Sequence, residues 1–310
     1  MPHVGALLAA VGLDLAFGEP PDRVHPVVWI GRALGAGRRR FCRGSRRALL
    51  LRGAGVTVVV AALSALGGAL LHALGARLGW VGFALEAVAL ASLLSVRALV
   101  AAAWRVAAHL RRGDLAAARA SVGRDLVSRR TDELDAGHVA SAAAESVAEN
   151  LTDAFVAAAC FYLVFGLPGA AVYRVVNTAD AMFGYREGPL EDFGKVAARL
   201  DDALNFLPAR LAGWAIVLAA GLAGESARGA LAVMRRDRRL TASPNAGWTM
   251  AAMAGALGVT LEKPGAYRLG AGPLPDAAAI GRATRVFALA VAVSSAALVA
   301  GVWLLERLVA

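Results

Sequence analysis

An all-α, polytopic membrane helix bundle of about five spans is the architecture that composition, uncharged runs and the placement of arginine together predict. Of the 310 residues, 58% are hydrophobic and 18% charged, with a mean hydropathy of +0.58. An ordinary soluble domain has roughly 45–50% apolar and about 25% charged residues. Residues 53–76 contain no Asp, Glu, Lys or Arg, and ~20 such residues suffice to cross a bilayer. The net charge of +10 comes from 33 basic residues, of which only Lys195 and Lys263 are lysine. The arginines gather beside apolar segments, where positive charge marks the cytoplasmic side of a span. The charge therefore reads as membrane orientation, and no nucleic-acid partner is expected. A single integral membrane domain over residues 1–310 is predicted.

In chain order, residues 4–17 form a short apolar helix interrupted by Asp14 and closed by Gly18-Glu19-Pro20-Pro21. Lacking a basic leader, this start does not read as a cleaved signal peptide. Residues 32–52 carry eight arginines and no acid, which predicts a cytoplasmic connection. Spans follow at 53–76 and 79–103 across the tight Arg77-Leu78 turn, and the polar stretch 109–152 returns to the cytoplasm. The next apolar segment, 154–176, carries Gly166-Leu167-Pro168-Gly169 at its middle and has polar flanks on both sides. Pro and Gly break helices, so two half-helices that dip in and return to one face, a re-entrant hairpin, are predicted. Such irregular backbone is tolerated where protein buries it. Cysteines introduced at positions 150 and 190 should then react from the same face of the membrane; reaction from opposite faces overturns the hairpin. Spans at 206–224 and 286–305 complete the bundle. No repeat and no alternating strand pattern is visible. Cys42 and Cys160 are too far apart for a paired metal motif and make no disulfide framework.

The strongest chemical signal is Glu145, Glu149 and Asp153, spaced by four residues and so stacked on one helical face. Like charges at that spacing repel, so the stack calls for a cation or buried partners, and oxygen ligands of this kind suit Mg²⁺; the alternative is a solvated acidic face. A second cluster combines Arg199, Asp201, Asp202, Asn205 and Arg210, preceded by Asn177 and Asp180. Paired aspartates can hold a metal and guanidinium forks match phosphate, while helix capping and juxtamembrane anchoring are the alternative. Arg124-Asp125 reads either as part of a site or as a surface ion pair. His25, before Pro26, is either a base or ligand or a structural residue. The segments 243–248 and 262–267, which contain Ser243, Asn245 and Tyr267, are dense in turn residues. Glu86 and Arg97 are the ionisable residues inside spans, either functional or snorkelling. No phosphate loop, H-E-x-x-H, G-x-S-x-G or paired C-x-x-C motif occurs.

These pieces, taken in order, resemble the CobD/CbiB family of cobalamin biosynthesis. The resemblance rests on Gly18-Glu19-Pro20 with His25-Pro26, Arg124-Asp125, Glu145-Ser-Val-Ala-Glu149-Asn150 with Asp153, and Tyr173-Arg174-Val-Val-Asn177-Thr178 with Asp180. It continues through Ala198-Arg199-Leu200-Asp201-Asp202 to Arg210, Ser243-Pro244-Asn245-Ala246-Gly247 and Lys263-Pro264-Gly265-Ala266-Tyr267, and so covers nearly the whole chain. It implies adenosylcobinamide-phosphate synthase activity: ATP- and Mg²⁺-dependent ligation of aminopropanol or its phosphate to a propionate of adenosylcobyric acid, in the bacterial inner membrane, with the site facing the cytoplasm. Under that resemblance Glu145, Glu149, Asp153, Asp180, Asp201 and Asp202 are expected to hold the metal. Glu145, Glu149, Asp202 and His25 are expected to serve catalysis. Arg124, Asn150, Asn177, Arg199, Asn205, Arg210, Ser243, Asn245 and Tyr267 are expected to bind substrate or phosphate. Other cobalamin-pathway enzymes are expected as partners. The competing class is a corrinoid transporter, for which internal repeats and mid-membrane polar residues would be the mark.

Overall fold

The computed structural model describes residues 2–309, and most of the chain is helical. The helices are α1 (Pro2–Phe17), α2 (Pro26–Phe41), α3 (Arg46–Arg77), α4 (Trp80–Ala91), α5 (Val96–Arg111), α6 (Leu115–Asp125), α7 (Ala136–Leu151), α8 (Ala157–Phe183), α9 (Leu190–Phe193), α10 (Lys195–Leu204), α11 (Phe206–Leu222), α12 (Ala227–Asp237), α13 (Ala246–Leu257) and α14 (Ala277–Val309). A π-helical turn, Thr152–Val156, joins α7 to α8. Among the described residues, four helical stretches, Arg46–Arg77, Trp80–Arg111, Ala136–Phe183 and Ala277–Leu308, are long and apolar enough to cross a membrane, or five if the pair Lys195–Leu204 and Phe206–Leu222, bent by 51°, is one span. The spans read at 53–76 and 286–305 and the short apolar first helix fall on α3, α14 and α1; the span read at 79–103 is interrupted at residues 92–95 between α4 and α5, and that at 206–224 falls on α11.

Two strands were not anticipated. β1 (Leu261–Lys263) and β2 (Tyr267–Leu269) pair antiparallel, with Leu261 opposite Leu269. Three residues are too few to show a period of two, and the Pro264-Gly265-Ala266 turn hides them within a loop-like composition.

The chain packs into two compact units, one of Met1–Ser95 with Ala157–Asn205, the other of Val96–Val156 with Phe206–Ala310. In the first, Ser45 caps α3 by accepting from the Ala48 amide, and His25 caps α2, whose first residue is Pro26. Arg38, Arg39 and Arg40 fill the last turn of α2, where cations complement the helix dipole. α3 is 32 residues long, about 48 Å of helix, and leaves Val58, Val59, Leu63, Leu66 and Leu70 exposed. Such a face suits lipid rather than water. The core gathers Ile30, Leu34, Leu49, Val175, Ala179, Phe183, Phe193 and Ala197.

The predicted break is a fold-back. Gly166 has φ 65° and ψ −161° inside α8, a conformation essentially restricted to glycine. Beyond it the chain returns along itself: the rings of Phe161 and Tyr173 stack with centroids 5.4 Å apart, whereas twelve residues of straight helix would separate them by roughly 18 Å. Pro168 falls in the first turn of the second arm, where its missing N–H costs nothing. α3 measures the depth of this hairpin. Gly68 lies against Leu167 and Pro168 at the tip, and Gly53 against the Phe193 carbonyl, at whose ring the second arm ends with Phe183. Fifteen residues of α3 separate those levels, about 22 Å, most of the ~30 Å hydrocarbon thickness.

In the second unit α7 is buried along residues 139–148 and packs against α5, α13 and α14. Its run of alanines lets helices approach closely. Asp135 caps it by accepting from the His138 amide at 2.8 Å, and that bond holds the Asp135 carboxyl below the usual range. α12 and α13 meet through Gly229 and Gly255, whose backbones leave no room for a Cβ on either.

Candidate active site

Glu145 lies on the buried face of α7 and is 4% exposed. A carboxylate can be kept there only with donors on both oxygens. Ser141, one turn earlier, donates its hydroxyl to Oε1 at 2.7 Å. Tyr267 from β2 donates to Oε2 at 2.7 Å, and Arg129 reaches the same oxygen at 3.3 Å. Ser141 in turn accepts from the Glu262 amide at 2.7 Å, so the small hairpin exists to carry Tyr267 and Lys263 to α7. Burial and the facing Glu145 carboxylate push the Tyr267 phenol above its ordinary value. Ser146 donates to the Leu126 carbonyl at 2.9 Å and receives Asn150 Nδ2 at 3.2 Å, fixing the loop that bears Arg129. For Glu145, the solvated acidic face is overturned.

Arg129, Glu145, Glu149, Asn150, Lys263 and Tyr267 enclose a cavity of about 170 Å³. A phosphate-sized group fits a space of that size. Two cations, Arg129 and Lys263, face two carboxylates there, and Arg129 Nε is buried without a hydrogen-bond partner. Asp153 follows within the π-helical turn, which offsets it from the four-residue register of Glu145 and Glu149; single π turns of this kind recur at functional sites. Among the described residues no three of His, Cys, Asp and Glu gather in a metal-binding arrangement. Glu149, which lines the cavity, is an oxygen donor of the kind Mg²⁺ takes together with phosphate oxygens.

In the first unit, Asp201 accepts from Asn177 Nδ2 at 3.2 Å and from Asn205 Nδ2 at 3.0 Å. Tyr173, fully buried, donates to Asn205 Oδ1 at 3.0 Å. Arg174 is tied to the Leu93 carbonyl and, at 3.5 Å, to Asn177. The network joins α8 to α10. Asp180 lies on the second arm of α8 and Asp202 on α10, where Arg199 pairs with Asp202 at 3.8 Å. His25 accepts from the Val27 amide through Nδ1 at 3.2 Å, leaving Nε2 for Glu19 at 3.7 Å. That histidine holds the Glu19 carboxyl below its usual range.

Elsewhere in the second unit, Arg124 pairs with Asp125 through two hydrogen bonds of 2.8 and 3.0 Å, and Arg105 joins at 3.1 Å. The Arg124 guanidinium holds the Asp125 carboxyl low. Arg210 donates to Asn245 Oδ1 at 2.7 Å, and the Asn245 amide donates to Ser243 Oγ at 3.2 Å. The site residues to which sequence reasoning gave no role are Ser141, Arg129 and Lys263. Ser141 had a usable signal, standing one turn before Glu145, and Lys263 stands in the motif that ends at Tyr267; the partner of Arg129 is 16 residues away.

The family model described as CobD/Cbib protein matches residues 7–299. A probable cobalamin biosynthesis protein CobD of Methanothermobacter thermautotrophicus is 44% identical over 87% of this chain and 88% of its own length. The cobalamin biosynthesis proteins CobD of Brucella suis and Dehalococcoides mccartyi are each 41% identical, over 84% and 85% of this chain and 82% and 85% of theirs. No solved structure matches. With the family model spanning nearly the whole sequence and relatives this similar over most of their length, the chain belongs to the CobD/Cbib family.

Proposed function

We propose that this protein acts in cobalamin biosynthesis as an adenosylcobinamide-phosphate synthase, joining the amine of aminopropanol or its phosphate to a propionate carboxylate of adenosylcobyric acid in an ATP- and Mg²⁺-dependent ligation. The observation that carries the reading is the cavity beside buried Glu145, lined by Arg129, Lys263, Glu149 and Asn150, in a chain whose relatives are named cobalamin biosynthesis proteins. Mg-ATP, when bound, supplies the phosphoryl group that makes a carboxylate a competent acyl donor. The chain's own residues do the rest. Arg129 and Lys263 offset the negative charge that accumulates on phosphoryl oxygens, and Glu145 holds Arg129 in place. Glu149, with Asp153 near it in sequence, supplies carboxylate oxygen to a metal or accepts the proton released as the amine attacks. Asp201 and Asp202 with Asn177, Asn205 and Arg199 form a second polar cluster, in the first unit, whose groups suit a metal or phosphate. His25 spends Nδ1 on capping α2, so it orients that helix and Glu19 rather than taking the proton. The eight arginines of residues 32–52 favour the cytoplasmic side of a bacterial inner membrane for that connection.

The test is incubation of the purified protein with adenosylcobyric acid, aminopropanol phosphate and Mg-ATP, with the amide product read by mass. Glu149→Ala and Asp202→Ala should each abolish product while membrane insertion is unchanged. Full turnover in both variants removes the assignment, and corrinoid uptake into vesicles without product favours a transporter.

A further inference from the structure

A groove of about 520 Å³ runs between α5 and α14, lined from Val100 to Arg111 on one helix and from Ala278 to Ala288 on the other. None of its lining residues has a part in the ligation. Arg111 lies over the Trp104 ring at 5.1 Å, and both reach Gly281 of α14, where a Cβ would stand 3.5 Å from the indole and 3.9 Å from the guanidinium. Arg282 and Arg285 line the same space, so the groove carries three guanidiniums and no carboxylate of its own. Arg282 is neutralised from outside the lining: Nη1 donates to Glu225 at 2.9 Å and Nη2 to the Leu257 carbonyl at 3.1 Å. Arg111 and Arg285 have no ion-pair partner among the described residues. Two positive charges therefore stay unbalanced, with fork donors to spare for an oxyanion.

The place of the groove on α14 says what supplies that anion. Residues 286–305 contain no Asp, Glu, Lys or Arg, so the uncharged run of this span begins directly after Arg285, and Ala288 already lies inside it. From Ala278 to Ala288 is about 15 Å of helix, against an interfacial layer of roughly 5–8 Å on each side of the hydrocarbon. The groove thus passes from the headgroup layer into the acyl region. Trp104, 44% exposed, brings the amphipathic ring that settles at that boundary. A soluble phosphate compound would leave the apolar end unfilled, whereas a phospholipid matches both ends at once.

We propose that Arg111, Arg285 and Trp104 form a binding site for an anionic glycerophospholipid, whose phosphodiester is held by the two guanidiniums and whose first acyl carbons lie along Val100 and Ala288. Trp104 supports Arg111, and Arg282, tied to Glu225, fixes the wall beside Arg285. The site is independent of the synthase reading; it needs only that α14 crosses a membrane.

Native mass spectrometry of the full-length protein, released from nanodiscs of phosphatidylglycerol and phosphatidylcholine in equal amounts, tests the site. Wild-type protein should retain phosphatidylglycerol in preference to phosphatidylcholine. Arg111→Gln and Arg285→Gln should each weaken that retention about fivefold, the worth of one cation at an anionic surface, and the double variant about twenty-five-fold. Arg111→Lys with Arg285→Lys keeps the charge and loses the forks, and should fall between. Arg130→Gln removes a charge outside the groove, on a side chain 90% exposed, and should change nothing. A measurement on wild-type protein stands free of any folding defect in the variants: phosphatidylglycerol nanodiscs, unlike phosphatidylcholine ones, should protect Arg111 and Arg285 from phenylglyoxal, read by peptide mass. Equal retention of the two lipids by wild type overturns the site, as does a well-folded double variant that retains phosphatidylglycerol as wild type does. Protection by inorganic phosphate or ATP as strong as that by phosphatidylglycerol overturns it too, in favour of a soluble phosphate ligand.

Discussion

Gly166→Val should lower the melting temperature of the detergent-solubilised protein and reduce the fraction that inserts. At φ 65° and ψ −161° a side chain costs on the order of 1–3 kcal/mol in backbone strain, and a β-branched one is the worst accommodated. The strain is only part of the loss. The fold-back brings Gly169 so close to Phe161 that a Cβ on it would lie 2.6 Å from the Phe161 carbonyl oxygen, and it sets the Phe161–Tyr173 stack. Tyr173 in turn donates to Asn205 in the network around Asp201. A hairpin opened at Gly166 therefore pulls on the second polar cluster as well as on the α3 contact at Gly68. Gly55→Ala is the control: that glycine is helical and has open space around it, and alanine there should be neutral or mildly stabilising. If Gly166→Val melts together with wild type, the dihedral at 166 does not hold the hairpin.

The spans were legible because each is a continuous uncharged run, a signal that needs no partner. The break at 166–169 was legible for the same reason, since Gly and Pro act on their own backbone. The two compact units were not, because each is assembled from two separated stretches of sequence and no local composition marks the joins. The site divides along the same line. Glu145 and Glu149 stand out by spacing alone, but the donors that make Glu145 what it is come from 4, 16 and 122 residues away. The π turn at Thr152–Val156 was likewise unreadable; the sequence shows an even spacing of acids through Asp153, and the backbone departs from it.

Glu145→Ala should be the most damaging change in the second unit. It leaves Arg129, with a side chain 18% exposed, without its carboxylate partner, and breaking a buried ion pair by removing one partner typically costs about 3–5 kcal/mol. Ser141 and Tyr267 lose their acceptor at once, and the hairpin that carries Lys263 loses its anchor on α7. Product formation should vanish and the melting temperature fall. Tyr267→Phe removes a single hydrogen bond to a charged acceptor, about 1.5–3 kcal/mol, and combining it with Glu145→Gln should cost less than the two separately, because both act on the same contact. Strict additivity would mean that the phenol and the carboxylate do not share an interaction. Tyr267 also sets a pH limit. Its phenol is raised above the ordinary value by burial and by Glu145, so the folded state holds that proton more tightly than the unfolded chain does. The resulting stability is fully present below about pH 10 and is lost as pH rises past that value. Wild-type protein should lose stability on that alkaline limb, and Tyr267→Phe, having no proton to hold, should lose less; identical alkaline profiles would place the phenol outside the Glu145 network.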